Sequence, residues 1–152
     1  MANRKNWLGI LVIVLAFGMT FVGCGDGAGG TDPALNGTWS CTERYNDEVV
    51  FTTELTLNNG NLEQKMNGTP YMKGTYTTSG NKITLTVTHI YNRDESKWYS
   101  KAEIKKTGML SDKEINEMFA PQTATYSISG NKLTIIDINE EGHTATTIFT
   151  KK

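Results

Sequence analysis

"TYTTSGNKIT", residues 75–84, and "TYSISGNKLT", residues 125–134, agree at seven of ten positions, and their shared pattern decides the class of fold. In each copy a run of β-branched and aromatic residues meets a Gly-Asn pair, and a second alternating run follows. Gly-Asn is a two-residue hairpin connection, because both residues tolerate the positive φ that a tight turn demands. Each copy therefore reads as two antiparallel strands with one inward tyrosine, Tyr76 or Tyr126. Duplication and convergent turn chemistry account for the match equally well, and one short match does not establish a repeat array.

The same alternation extends outward from both hairpins. Residues 83–91, "ITLTVTHIY", set Ile83, Leu85, Val87, His89 and Tyr91 on one face against Thr84, Thr86, Thr88 and Ile90 on the other. Residues 48–57, "EVVFTTELTL", set Val49, Phe51, Thr53, Leu55 and Leu57 on one face. Period two is the mark of a half-buried strand. Asn59-Gly60 then turns the chain into the shorter, more polar run 62–67. Upstream, "TWSCTERY" (38–45) opens the series with Trp39 and Cys41 on one face. Downstream, "KWYSKAEIK" (97–105) reads as a weaker strand, and "TATTIFTKK" (144–152) as the last. In "LTIIDI" (133–138), Leu133 and Ile135 are out of phase with Ile136 and Ile138, which implies either two covered faces or a bulge.

Residues 110–119, "LSDKEINEMF", break the pattern. Ser111 and Glu114 form a capping box, Leu110 and Ile115 a hydrophobic staple, and Pro121 stops further helix. Ile115, Met118 and Phe119 share one face, so this helix covers a barrel mouth or packs on a sheet edge. The expected fold is all-β, an up-and-down antiparallel meander of about eight strands closed into a barrel, with one short helix. Closure removes the exposed edges of a solitary sheet.

The front of the chain carries a different signal. Arg4 and Lys5 precede an uncharged, largely apolar run from Trp7 to Val22, the layout of a secretory signal. "FVGC", residues 21–24, resembles a bacterial lipobox, with Phe21 in place of the usual Leu. The resemblance implies a signal peptide over 1–23, cut before a Cys24 that carries palmitate-type acyl chains. It also implies a flexible tether completing residues 24–34 and a domain over 35–152. An uncleaved anchor helix and an ordinary signal cut nearby are the other readings of the same run. On the lipobox reading the protein is a lipoprotein of the bacterial cell envelope, membrane-anchored on the periplasmic or surface face.

"NGTW", residues 36–39, adds a second resemblance. Gly37 and Trp39 at the start of the first strand resemble the Gly-x-Trp of lipocalins and related calycins, whose Trp plugs the closed end of the barrel. No second lipocalin motif and no arginine on the last strand are present. Lys151 or Lys152 is left to stack on Trp39 by cation–π contact.

Composition narrows the function. Loss of Arg4 and Lys5 with a signal peptide leaves 13 basic against 16 acidic residues, a net charge of −3 in place of −1. The charges are mixed along the chain, which argues against nucleic acid as a partner. With Cys24 acylated, Cys41 is expected to be a free, buried thiol. A Cys24–Cys41 disulfide is open only if the lipobox reading fails. His89 is expected on an inward face and His143 in a turn beside Glu140 and Glu141. No metal-ligand spacing, nucleophile elbow or acid–base constellation stands out, so no catalytic residue, metal or cofactor is assigned and the chain does not read as an enzyme.

What remains is an aromatic interior. Trp39, Phe51, Tyr76, His89, Tyr91, Tyr126 and Phe149 are the candidate ligand-binding residues. Of the adjacent Trp98 and Tyr99, one must face out as a potential anchor. The first functional reading is a membrane-tethered lipocalin-like protein binding a small apolar or amphipathic ligand. The alternative is a packed barrel acting through its loops on a protein partner, as an inhibitor or adhesion module. A cavity of about 300 Å³ or more favours a ligand; a filled core favours surface recognition.

Overall fold

The computed structural model describes residues 29–45, 48–138 and 144–152. The apolar run of the first 23 residues, Cys24 and His143 lie outside them. Nine strands run in chain order: β1 Gly37–Tyr45, β2 Glu48–Asn58, β3 Asn61–Met66, β4 Thr69–Ser79, β5 Lys82–Asn92, β6 Lys97–Ser100, β7 Gln122–Ser129, β8 Lys132–Ile138 and β9 Thr144–Lys151. Two helices, α1 Lys101–Thr107 and α2 Asp112–Phe119, stand between β6 and β7. All pairings are antiparallel. The circuit β1-β2-β3-β4-β5-β7-β8-β9 returns to β1, which makes a closed up-and-down barrel of eight strands. β6 lies outside this circuit. It pairs with β5 over His89–Asn92, while β7 uses the same edge of β5 over Lys82–Leu85.

The two Gly-Asn hairpins are present as expected, β4–β5 and β7–β8, with Gly80 and Gly130 both at φ 58°. Together with the Asn59-Gly60 turn they form one end of the barrel, the base. Each base turn is tied to a neighbouring strand through a carbonyl. Tyr76 N–H donates to Gly60 O, Tyr126 N–H to Asn81 O and Lys151 N–H to Asn131 O, at 2.7–2.8 Å.

Trp39 fills the base, fully buried with Leu35, Leu57, Ile83 and Leu133. Its indole N–H donates to Leu35 O at 2.7 Å. Lys151 is its cross-strand partner and lays its ammonium 5.1 Å from the ring centroid. Gly37, at φ 138°, would place a Cβ 2.8 Å from the Lys151 Cε. The glycine two residues before Trp39 is thus required by backbone conformation, and the last strand supplies the cation over the ring.

Two features of the top end differ from the sequence reading. The run 97–105 is a strand only as far as Ser100. Ser100 then N-caps α1 in a capping box with Glu103, and Gly108 ends the helix at φ 64°. Among the described residues there are therefore two short α-helices, not one. Ile104 of α1 and Ile115, Met118 and Phe119 of α2 pack with Met66, Met72 and Val87 to close this part of the barrel. The second difference is in β5. Gly74 pairs with Val87 and Lys73 with His89, so Thr88 is an extra residue and the phase shifts there. A Cβ on Gly74 would sit 2.1 Å from the Thr86 carbonyl oxygen, so only glycine allows this close approach.

β8 resolves the ambiguity of "LTIIDI" without a bulge, since its pairing with β7 and β9 is continuous. Leu133, Ile135 and Asp137 face in, with Asp137 only 5% exposed, and Ile136 takes the outer phase. An acid occupies the core face, and a neighbouring isoleucine does not.

Candidate functional site

The barrel seam explains where an interior space opens. β1 and β9 pair at only two positions, Trp39 with Lys151 and Ser40 with Thr150. Above these pairs, Cys41 and Glu43 on β1 and Ala145 and Thr147 on β9 line a cavity of about 80 Å³. Phe51, Ile135 and Phe149 form its apolar wall; Thr53, Gln64 and Asp137 form a polar one. Thr53, Gln64 and Asp137 are each at most 9% exposed. Buried polar side chains are held by hydrogen bonds or by what they bind, since leaving them bare is costly. The site therefore combines aromatic faces with a small set of convergent polar groups, the usual make-up of a binding pocket.

Cys41 is a free thiol, half-buried, on the same face as Trp39. The sequence implies a buried thiol; the short seam leaves Cys41 only partly buried, at the cavity wall. Burial, with a smaller contribution from Glu43, pushes its thiol up from the ordinary range. A group so shifted is a poorer nucleophile at neutral pH. Among the described residues no cluster of three or more His, Cys, Asp or Glu is arranged to hold a metal ion.

The seven aromatic and histidine candidates separate into three places. Phe51 and Phe149 line the cavity. Trp39, Tyr76 and Tyr126 face inward but belong to the base, and both tyrosines hold the segment that precedes β1. Tyr76 Oη donates to Asn36 Oδ1 at 3.2 Å, and Tyr126 Oη donates to Asp32 Oδ2 at 2.8 Å. Burial first, then the Asp32 carboxylate, pushes the Tyr126 hydroxyl up to about 12. The repeated tyrosines thus do equivalent work, strapping residues 30–36 across the base. Gly30 completes the strap by accepting from Thr78 N–H at 2.7 Å.

His89 and Tyr91 are expected inward but lie on the outer face, because the extra residue at Thr88 reverses the phase beyond it. Ile90 is the residue that turns toward the core there. His89 Nδ1 is hydrogen-bonded with the Thr88 hydroxyl at 3.0 Å. Tyr91 meets Trp98 edge to face at 5.1 Å, and the Lys73 ammonium lies 4.7 Å from the Trp98 ring centroid. Trp98 is accordingly the outward ring of its pair, while Tyr99 packs beneath the helices and donates its hydroxyl to Glu95.

The sequence reading did not select Gln64, Thr53 and Asp137 as site residues. Thr53 and Gln64 stand in the inward phase of alternating strands, where hydrophobicity drew attention elsewhere; Asp137 stands in β8, whose inward phase the alternation leaves open. Among the described residues no helix is long and apolar enough to cross a membrane. No family model, no curated protein and no solved structure matches this chain.

Proposed function

We propose that the protein is a lipid-anchored, lipocalin-like barrel of the bacterial cell envelope that binds a small amphipathic ligand at the seam pocket, and that it is not an enzyme. The observation that carries this reading is the pairing of Phe51, Ile135 and Phe149 with Thr53, Gln64 and Asp137 around one cavity. Its volume of about 80 Å³ falls well short of the roughly 300–1,000 Å³ of drug-sized pockets. The ligand, or the part of it that enters, is therefore a few heavy atoms with one polar end. A long acyl chain does not fit. The anchor is the acyl-bearing Cys24 of the lipobox reading; stable attachment takes more than one acyl chain.

Native mass spectrometry of the protein purified from its own cell tests this. A small molecule retained by the native chain and released on denaturation is expected. Gln64→Leu, close in volume, should reduce the retained fraction without unfolding the barrel. A native chain carrying no small molecule overturns the ligand reading. The second reading, recognition of a protein partner through the loops, is favoured by the remainder of the interior, which is filled by two packed clusters.

A further inference from the structure

The strap fixes how far the barrel can stand from an anchor on Cys24. Gly30 is bridged to Thr78 at the base, and Asp32 and Asn36 are tied to Tyr126 and Tyr76. Gly30 is six chain steps from Cys24, a reach of at most about 20 Å when fully extended. A membrane that holds Cys24 is therefore close to the base and far from the helices.

The base carries the charge that suits such a neighbour. The hairpin ends 58–61, 79–82 and 129–132 contain Lys82 and Lys132 and no acidic residue. Both lysines come from the repeated Ser-Gly-Asn-Lys, and both are exposed, as are Lys151 and Lys152. Of the acids near this end, Asp32 accepts from Tyr126 and Ala34 and Glu54 is paired with Lys152, while Glu63 of β3 is exposed and stands opposite Lys73. The helical end is mixed, with Asp94, Glu95, Asp112 and Glu117 among its lysines. Basic groups near an anionic leaflet are attracted over about a Debye length, roughly 8 Å at physiological salt.

We infer that the base is a docking surface for anionic phospholipid headgroups, with Lys82 and Lys132 as its principal contacts, so that the seam pocket and helices face away from the membrane. This rests on the anchored reading proposed above. In that orientation the pocket draws on the aqueous compartment and not on the bilayer. It also gives the repeat a use beyond turn formation, since each copy delivers one lysine to the same plane.

The test uses the full lipidated chain in vesicles of phosphatidylglycerol and phosphatidylcholine, and in vesicles of phosphatidylcholine alone. Acylation of each lysine by a membrane-impermeant amine reagent is followed by mass spectrometry. In the anionic vesicles, Lys82 and Lys132 should label several-fold more slowly than in the neutral ones, while Lys101 and Lys106 of α1 are unchanged. High salt should remove the difference. In the double variant K82E/K132E, Lys152 should label at one rate in both vesicles. Equal labelling of base and helical lysines in a chain that floats with anionic vesicles overturns the docked base and leaves the anchor intact. A chain that does not float overturns the anchor, and the docking surface with it.

Discussion

Gly74 and Trp39 show how single residues hold this barrel, and each makes a separable prediction. The Cβ of Gly74→Ala would meet the Thr86 carbonyl oxygen, which is backbone and cannot swing aside. Overpacking of this kind costs about 1–3 kcal/mol and sometimes more. Urea denaturation should show that loss, and an unchanged midpoint would mean that the bulge at Thr88 is not required. Trp39 is fully buried, hydrogen-bonded to Leu35 O and covered by Lys151. Trp39→Ala should cost about 3–5 kcal/mol, a large part of the roughly 5–15 kcal/mol available to a domain. Trp98→Ala should cost less, because that ring is on the outer face and half-exposed. Equal melting losses for the two would show that Trp39 is not the plug. Cys41 supplies a third measurement. Its thiol is raised by burial and by Glu43, so at pH 8 the folded chain holds less thiolate than the unfolded one. A thiol reagent should modify Cys41 more slowly in the native chain than in urea; equal rates would contradict the cavity-wall position.

The elements were legible to the extent that alternation ran unbroken. The Gly-Asn hairpins, the inward tyrosines and the Ile115, Met118, Phe119 face of α2 follow from spacing, and all are present. Phase was lost where backbone geometry intervened. A bulge adds one residue and turns every later side chain to the other face, which is why His89 and Tyr91 lie outside. Gly74 was the visible sign of it, since a glycine inside a strand often marks a bulge or close approach. Likewise "SKAE" is a capping box as plain as "SDKE", but the aromatic pair Trp98-Tyr99 before it favoured a continuing strand. Asp137 was hidden by a different cause: isoleucines in both phases of β8 left the inward one undecided. The capping boxes themselves carry a pH dependence. Glu103 accepts from the backbone N–H and the hydroxyl of Ser100, with Lys97 adding to the effect, which holds its carboxyl at about 2. Glu114 is lowered in the same way by Ser111. Both folded values lie below the unfolded one, so the ionised carboxylates favour the folded state. Their contribution is present above about pH 4.5, the unfolded value, and for Glu103 is lost as pH falls through about 2. Carboxyl NMR should find Glu103 titrating near the lower limit, and Ser100→Ala should return it toward its ordinary value while destabilising α1 by about 0.5–2 kcal/mol. A Glu103 that titrates normally in the parent would sink this account.

For the whole molecule the decisive feature is how little backbone pairing closes it. Every other neighbouring pair of barrel strands is joined over at least four residue pairs, whereas β1 and β9 share two, helped by Lys152 N–H donating to Thr38 O at 2.9 Å. The seam is nevertheless where the core is most committed. Phe149 is buried against the cluster around Trp39, and Lys151 covers the ring itself. Side chains, more than hydrogen bonds, thus hold the last strand to the first, and the pairing stops where the cavity opens between Cys41 and Glu43 on β1 and Ala145 and Thr147 on β9. That arrangement produces both a closed barrel and a pocket from one sheet. It predicts that the carboxyl-terminal residues are structural despite their position. Removing residues 148–152 deletes Phe149, Lys151 and the seam together, and leaves the β1 edge unpaired with Trp39 uncovered. The truncated chain should lose the cooperative thermal transition of the parent. Ile148→Thr serves as the control, because Ile148 is 52% exposed on the outer face and contributes to neither. Its melting temperature should stay near that of the parent. If the truncated chain melts cooperatively at a similar temperature, the barrel does not depend on its seam, and the pocket must then be placed by the β2–β3 and β8 walls alone.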